Sequence, residues 1–157
     1  MGVSGNPEDV KKFVEDMIGE DDNHFDFNKV DPMPEIMGKI NLIFGTTESS
    51  GWFYNEDAKP LLQRVRVPQE IIDELEREHG TAYWYDWARE HWGTKWGLYE
   101  VDEPKWMTPR YVRYHFVTAW SPPRPILEKL RVKYPMLKFS WRYCVEGWCG
   151  GWMHKEA

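Results

Sequence analysis

Apolar residues first recur with helical spacing. Val10, Phe13, Val14, Met17 and Ile18 fall at i, i+3, i+4, i+7 and i+8, the stripe of an amphipathic helix. Asn6-Pro7-Glu8-Asp9 predicts its start, with a capping side chain, proline at the first helical position and acids facing the dipole. Gly19 predicts its end, and Met1–Ser4 ahead of it leaves room only for a very short strand. His24-Phe25-Asp26-Phe27 predicts a second extended segment, stopped by Asp31-Pro32-Met33-Pro34. Residues 35–66 show no clear period; Gly45–Gly51 reads as a mobile loop and Trp52-Phe53-Tyr54 as an aromatic patch beside it. A helix is predicted from Pro68 through Ile71, Ile72 and Leu75 to Gly80. Another runs from Ala82 to about Trp92, with Trp84, Trp87, Ala88 and His91 on one face and Gly93 as its cap.

In the C-terminal part the period changes to two. Val112, Tyr114, Phe116 and Thr118 alternate with Arg113, His115 and Val117, which predicts a strand. Ser121-Pro122-Pro123 stops it and starts a helix with Ile126, Leu127, Leu130 and Tyr134 facing in. Beyond Pro135, Leu137, Phe139, Trp141, Tyr143 and Val145 predict the inner face of a second strand, with Lys138, Ser140, Arg142, Cys144 and Glu146 outside. Glu146-Gly147 then turns the chain into a short last strand through Trp148 to Met153. Strand, helix, strand, repeated once, is the split βαβ order of an α+β, ferredoxin-like sandwich: an antiparallel sheet with helices on one face. Its first strand is expected to be short or incomplete. Residues 1–157 would form one domain: a first half in 1–34, a tryptophan-rich and mostly helical insertion in 35–107, and a second half in 108–157.

Composition sharpens this picture. At 157 residues the chain has the size of one domain, and aromatic residues reach 16%, with ten tryptophans. No apolar run is long enough for a transmembrane helix, and residues 1–6 lack the features of a signal peptide. Two cysteines are too few for a disulfide framework, so the expectation is a reduced, soluble protein of the cytoplasm. The net charge of −6 is unevenly spread: residues 1–60 carry −8 and residues 61–157 carry +2. Lys105–Arg142 holds nine basic residues against Glu128 alone. Separation on this scale is read in two ways, as steering toward a charged partner or as solvated charge of both signs on the surface.

Pro32-Met33-Pro34-Glu35, Trp84-Tyr85-Asp86-Trp87 and Trp92-Gly93-Thr94-Lys95-Trp96 form a series of distinctive strings. Phe116-Val117-Thr118-Ala119-Trp120-Ser121-Pro122-Pro123 and Tyr134-Pro135 continue it. In this order they resemble the YubB-type proteins of bacteriophages and plasmids, over most of the chain. The resemblance implies a ferredoxin-like domain and a mobile-element origin in a bacterial host. It implies no established reaction and carries over no catalytic residue.

Candidate chemistry is sparse. Cys144-x4-Cys149-x4-His154, even with His115 as a fourth ligand, departs from the usual spacing of tetrahedral zinc sites, so neither metal nor cofactor is expected. His24 with Asp26, and Asp86 with Glu90 and His91, are acid–base pairs of the kind that chance supplies; His91 is better read as a packed, hydrogen-bonded side chain. No phosphate-binding glycine loop or nucleophile elbow occurs, so the chain is not expected to be an enzyme. Trp84, Trp87, Trp120 and Trp141 are read as core. Thr94, Lys95 and Trp96 are read as an interaction turn held by aromatic anchors.

The leading expectation is an accessory binding protein of a mobile element, contacting a host protein or ribonucleoprotein complex and inhibiting a defence nuclease in the manner of an anti-CRISPR. Its acidic patch would be Glu20, Asp21, Asp22 and Asp26, matched to a basic surface. The alternative is nucleic-acid binding on a sheet face carrying Arg113, His115, Lys138 and Arg142, a face short of aromatic platforms. A small enzyme with its site near Gly93–Trp96 ranks third.

Overall fold

Gly2, Val3 and Ser4 form strand β1, in which Val3 is completely buried. The computed structural model describes residues 1–20, 23–42, 51–54, 64–145 and 148–152 and makes β1 an interior strand. Helix α1 (Pro7–Asp16) starts on Pro7 with Glu8 and Asp9 in its first turn, as predicted, but the Asn6 side chain expected to cap it makes no capping hydrogen bond. Its apolar stripe buries Val10, Phe13 and Met17. Ile18 departs from the stripe and is exposed, because the helix has already ended: Met17 caps it, and the Gly19 N–H turns to Asn23 O at 2.7 Å.

Residues 24–27 form no strand, contrary to the alternation of Phe25 and Phe27. Both rings are buried, while the Asp26 carboxylate accepts the Asn28 N–H at 2.9 Å and caps a 3-10 turn, Phe27–Lys29. A side chain that binds nearby backbone offers the chain an alternative to a ladder, and here the turn prevails.

The described residues fall into two compact units, residues 1–32 with 89–157, and residues 33–88. The second unit contains helix α2 (Glu35–Lys39) and strands β2 (Ile40–Leu42), β3 (Gly51–Tyr54) and β4 (Arg64–Arg66), which pair antiparallel in that order. An insertion expected to be mostly helical therefore carries a sheet of its own. Of the loop predicted over 45–51, residues 45–50 lie outside the described residues. Helix α3 (Gln69–His79) buries Ile72 and Leu75 and ends on Gly80, at φ 74°. Helix α4 (Trp84–His91) buries Trp87 and Ala88, while Trp84 is only half-buried.

In the first unit, β5 (Lys105–Thr108) and β6 (Tyr111–Arg113) form a hairpin. Helix α5 (Arg124–Lys133) follows, then β7 (Lys138–Ser140), β8 (Arg142–Val145) and β9 (Trp148–Trp152). The main sheet has the order β5-β6-β1-β7, and every neighbouring pair is antiparallel. Its outermost β5 includes the end of the stretch expected to be insertion. The strand predicted over 112–118 is shorter than its pattern: after Arg113, the Tyr114 N–H pairs with Met1 O, and Val117 bridges to Tyr99 instead. The strand predicted over 137–145 keeps its two faces but breaks at Trp141, with β7 pairing to β1 and β8 to β9. Leu137, Phe139 and Trp141 are buried; Lys138, Ser140, Arg142 and Cys144 are exposed.

Val3, Val112 and Phe139 stand opposite one another across three strands and are all buried. On that face, Phe13 of α1 lies 5.5 Å from Phe139, 6.1 Å from Tyr114 and 5.1 Å from Tyr134. Tyr134 Oη donates to Asp16 Oδ2 at 3.0 Å. Burial pushes the Asp16 carboxyl up, but the hydrogen bonds from Lys12 and Tyr134 and the charges of Lys12 and Lys133 leave it below the usual carboxylate value. Its ionised form therefore favours the fold above that usual value, and this contribution fades as pH falls through the lowered one.

Tyr114 is the opposite case. Its hydroxyl is buried without a hydrogen-bond partner, and burial pushes its pKa far up. Removing an orphaned polar group leaves nothing unsatisfied behind. Tyr114→Phe is expected to leave stability unchanged or raise it by up to about 1 kcal/mol in urea denaturation. A loss of that size would mean that the hydroxyl has a partner in solution.

Candidate functional site

The residues with the most unusual surroundings lie in two loops of the first unit. The first follows α4. Trp92 is buried, and its indole N–H donates to Asp31 O at 2.9 Å, which anchors the start of the loop. Gly93 then takes φ 77°, the left-handed conformation that a helix end commonly requires. Thr94 is completely buried, and its hydroxyl donates to Trp96 O at 2.6 Å. That bond closes a tight turn with Lys95 at its tip.

The second loop follows the bridge between Tyr99 and Val117. Ala119 is buried, but Trp120 turns outward and is 75% exposed, so its assignment to the core is corrected. Backbone geometry accounts for this. Ser121 N–H donates to Ala119 O at 2.8 Å across Trp120, which sits at φ 67°. This is a γ-turn with positive φ, a rare and strained turn. A bulky residue in the left-handed region costs on the order of 1–2 kcal/mol. Residues held in such conformations cluster at functional sites.

One hydrogen bond joins the two loops, and a second braces the Ser121 that makes it. Ser121 Oγ donates to Gly93 O at 2.5 Å, and Thr118 Oγ1 donates to Ser121 O at 2.9 Å. A Cβ on Gly93 would lie 2.6 Å from Pro125 Cδ, so the backbones meet where only glycine fits. The Lys95 ammonium consequently lies between two indoles, 4.7 Å from the Trp96 ring centre and 4.6 Å from that of Trp120. Trp96 is 41% exposed, so both rings present surface to solvent with a cation between them. Gly93→Ala is expected to cost about 2 kcal/mol or more, adding a left-handed alanine to the clash with Pro125. Chemical denaturation reads it; a loss of a few tenths would show that the latch yields.

A polar cluster lies beside the first loop. Asp31 Oδ2 is 3.0 Å from His91 Nδ1 and also accepts from Lys129 Nζ. Lys129 reaches the His91 carbonyl as well, at 3.5 Å, so its charge sits at the C-terminal end of α4, where the helix dipole favours a cation. The hydrogen-bonded side chain expected of His91 is present, with Asp31 and Lys129, both far along the chain, among its partners. Asp31 and Lys129 carried no motif that could have singled them out.

The other predicted site residues divide. Glu20 is exposed, the Asp26 carboxylate is engaged in its turn, and Asp21 and Asp22 lie outside the described residues. Arg113 and Lys138 are exposed on the main sheet, but Arg142 belongs to the β8–β9 hairpin, and His115 Nδ1 lies 3.1 Å from Asp102 Oδ2. Cys144 stands opposite Cys149 in that hairpin, and the His154 of the rejected zinc pattern lies outside the described residues. Among the described residues no group of three or more His, Cys, Asp or Glu is placed to hold a metal ion, and no helix is long and apolar enough to cross a membrane. Compared with protein-family models, curated proteins and solved structures, the chain matches none.

Proposed function

We propose that this chain is a binding protein that acts through the Trp96–Lys95–Trp120 cluster on a protein partner. The carrying observation is the exposed Trp120, held at φ 67° against a lysine that a second indole also flanks. Tryptophan in a fixed pose is the commonest energetic anchor of protein interfaces, because a large apolar area is presented at little entropic cost. The lysine adds a charge for a carboxylate or carbonyl at the centre of the contact.

The biological setting we propose is a mobile element, of the YubB type, with a host defence nuclease or its ribonucleoprotein complex as the target. The strings Trp92–Trp96 and Thr118–Pro123 support this reading, since two of the five segments that carry the resemblance build the cluster. We also propose a ferredoxin-like arrangement for the main sheet. The order β5-β6-β1-β7 with all pairs antiparallel supports it, as does α1 following the first of these strands and α5 preceding the last. In this arrangement β5, rather than residues 24–27, takes the place of the second strand.

The test uses bacterial cells in which an active CRISPR nuclease blocks a targeted phage. Expression of the chain is expected to restore plating and to pull the tagged nuclease complex down with it. Lys95→Ala and Trp120→Ala should lose both effects while remaining folded. Absence of both effects across a panel of defence nucleases overturns the target, and full effect from both variants overturns the site.

A further inference from the structure

One face of the main sheet packs inward; the other is built differently. Register places Lys105, Arg113, Gly2 and Ser140 in one row across the four strands, and Thr108, Tyr111, Ser4 and Lys138 in the next. Residues directly opposed across a ladder point to the same side. Lys105, Thr108, Arg113, Lys138 and Ser140 are all exposed, whereas Val3, Val112 and Phe139 on the other side are buried. The two open rows hold three cations and no carboxylate.

Gly2 adds the decisive detail. A Cβ on Gly2 would lie 2.7 Å from Tyr111 Oη and 2.9 Å from its Cε2. The Tyr111 ring therefore reaches across β1, in space that only glycine leaves open. Side chains in strands usually stand up from the sheet; this one leans over its neighbour, half-buried. It supplies the aromatic platform that the alternation of the last strand alone did not place on this face.

We propose that this open face binds single-stranded nucleic acid, with phosphates on Lys105, Arg113 and Lys138 and a base stacked on Tyr111. Lys105 and Lys138 lie at opposite edges of the sheet. Three strand spacings and a two-residue offset separate them by roughly 16 Å, room for a few nucleotides. Charge complementarity selects a polyanion, and the ring selects among polyanions, because a base has a face to stack while a carboxylate side chain does not. The overall charge of −6 opposes non-specific attraction to nucleic acid, so binding has to rest on a local cationic face such as this one.

The full chain is titrated into fluorescent short oligouridine and oligothymidine, with anisotropy read at several salt concentrations. Three phosphate contacts predict a slope of about −2 for log affinity against log salt. Arg113→Gln should flatten that slope by about 0.7. The double variant Arg113→Glu, Lys138→Glu should weaken binding at least about tenfold, while circular dichroism confirms its fold. Tyr111→Ala should weaken binding about tenfold with the slope unchanged, and Tyr111→Phe should bind as the native chain does. Three results would overturn the proposal: no salt-dependent binding by the native chain, undiminished binding by the folded double variant, or displacement of the oligonucleotide by polyglutamate as effectively as by unlabelled oligouridine. The last would assign the face to an acidic protein.

Discussion

Phe13→Ala is expected to destabilise the protein by about 3–5 kcal/mol, a large part of the stability of a domain this size. Phe13 has no exposed surface, and four rings surround it: Tyr134 at 5.1 Å, Phe139 at 5.5 Å, Tyr114 at 6.1 Å and Phe25 at 6.3 Å. Those rings come from the end of α5, from β7, from the segment after β6 and from the loop after α1. One truncation therefore opens a cavity at the point where four parts of the chain converge. Three of the four pairs are edge-on or nearly so, the geometry in which ring quadrupoles attract, and each adds about 0.5–1.5 kcal/mol beyond its area. Aromatic rings are stiff and cannot collapse into the gap, so the value should lie toward the upper end. Phe13→Leu keeps most of the volume and should cost under about 1.5 kcal/mol. Urea denaturation reads both, through a lowered midpoint at unchanged slope. A loss under about 1 kcal/mol for Phe13→Ala would show that the rings close over the space.

The convergence on Phe13 was partly legible. Its position on the α1 stripe follows from spacing, and the buried set Leu137, Phe139 and Trp141 follows from period two, because both periods report a side chain's direction relative to local backbone. What period cannot report is the partner of a strand. The run from Leu137 to Val145 alternates without interruption, yet it divides between two sheets, and only the registry of β1 and β9 reveals the break at Trp141. Residues 24–27 failed for a different reason: two buried rings flanking an acid suit a strand and an Asp-capped turn equally well. The cluster around Lys95 was half legible. The turn of Thr94, Lys95 and Trp96 announced itself through glycine and flanking tryptophans. Trp120 did not, because aromatic residues are usually buried and nothing in a non-glycine residue signals a positive φ. The Asp31–His91–Lys129 contacts lay beyond reach, being separated by 60 and 98 positions in sequence.

Trp120 also permits a test that separates function from scaffold. Replacing it by glycine removes the exposed indole and relieves a left-handed conformation worth on the order of 1–2 kcal/mol. Against this stands the greater freedom of glycine in the unfolded chain, about 0.5–1 kcal/mol, and the loss of one exposed cation–π contact of similar size. The net change in stability should fall within about 1 kcal/mol of zero. Binding should respond very differently. An anchoring tryptophan contributes at least about 2 kcal/mol to an interface, so Trp120→Gly should weaken partner affinity roughly thirtyfold or more. A core tryptophan would behave in the reverse way, with a stability loss of about 3–5 kcal/mol and no separate defect in binding. Denaturation and affinity measured on one preparation therefore decide between the two roles. If Trp120→Gly unfolds the protein, the strained turn is scaffold; if it leaves both quantities unchanged, the cluster is surface without a partner. The expected combination, intact fold and lost affinity, arises only if the strain at Trp120 is maintained for the sake of a contact.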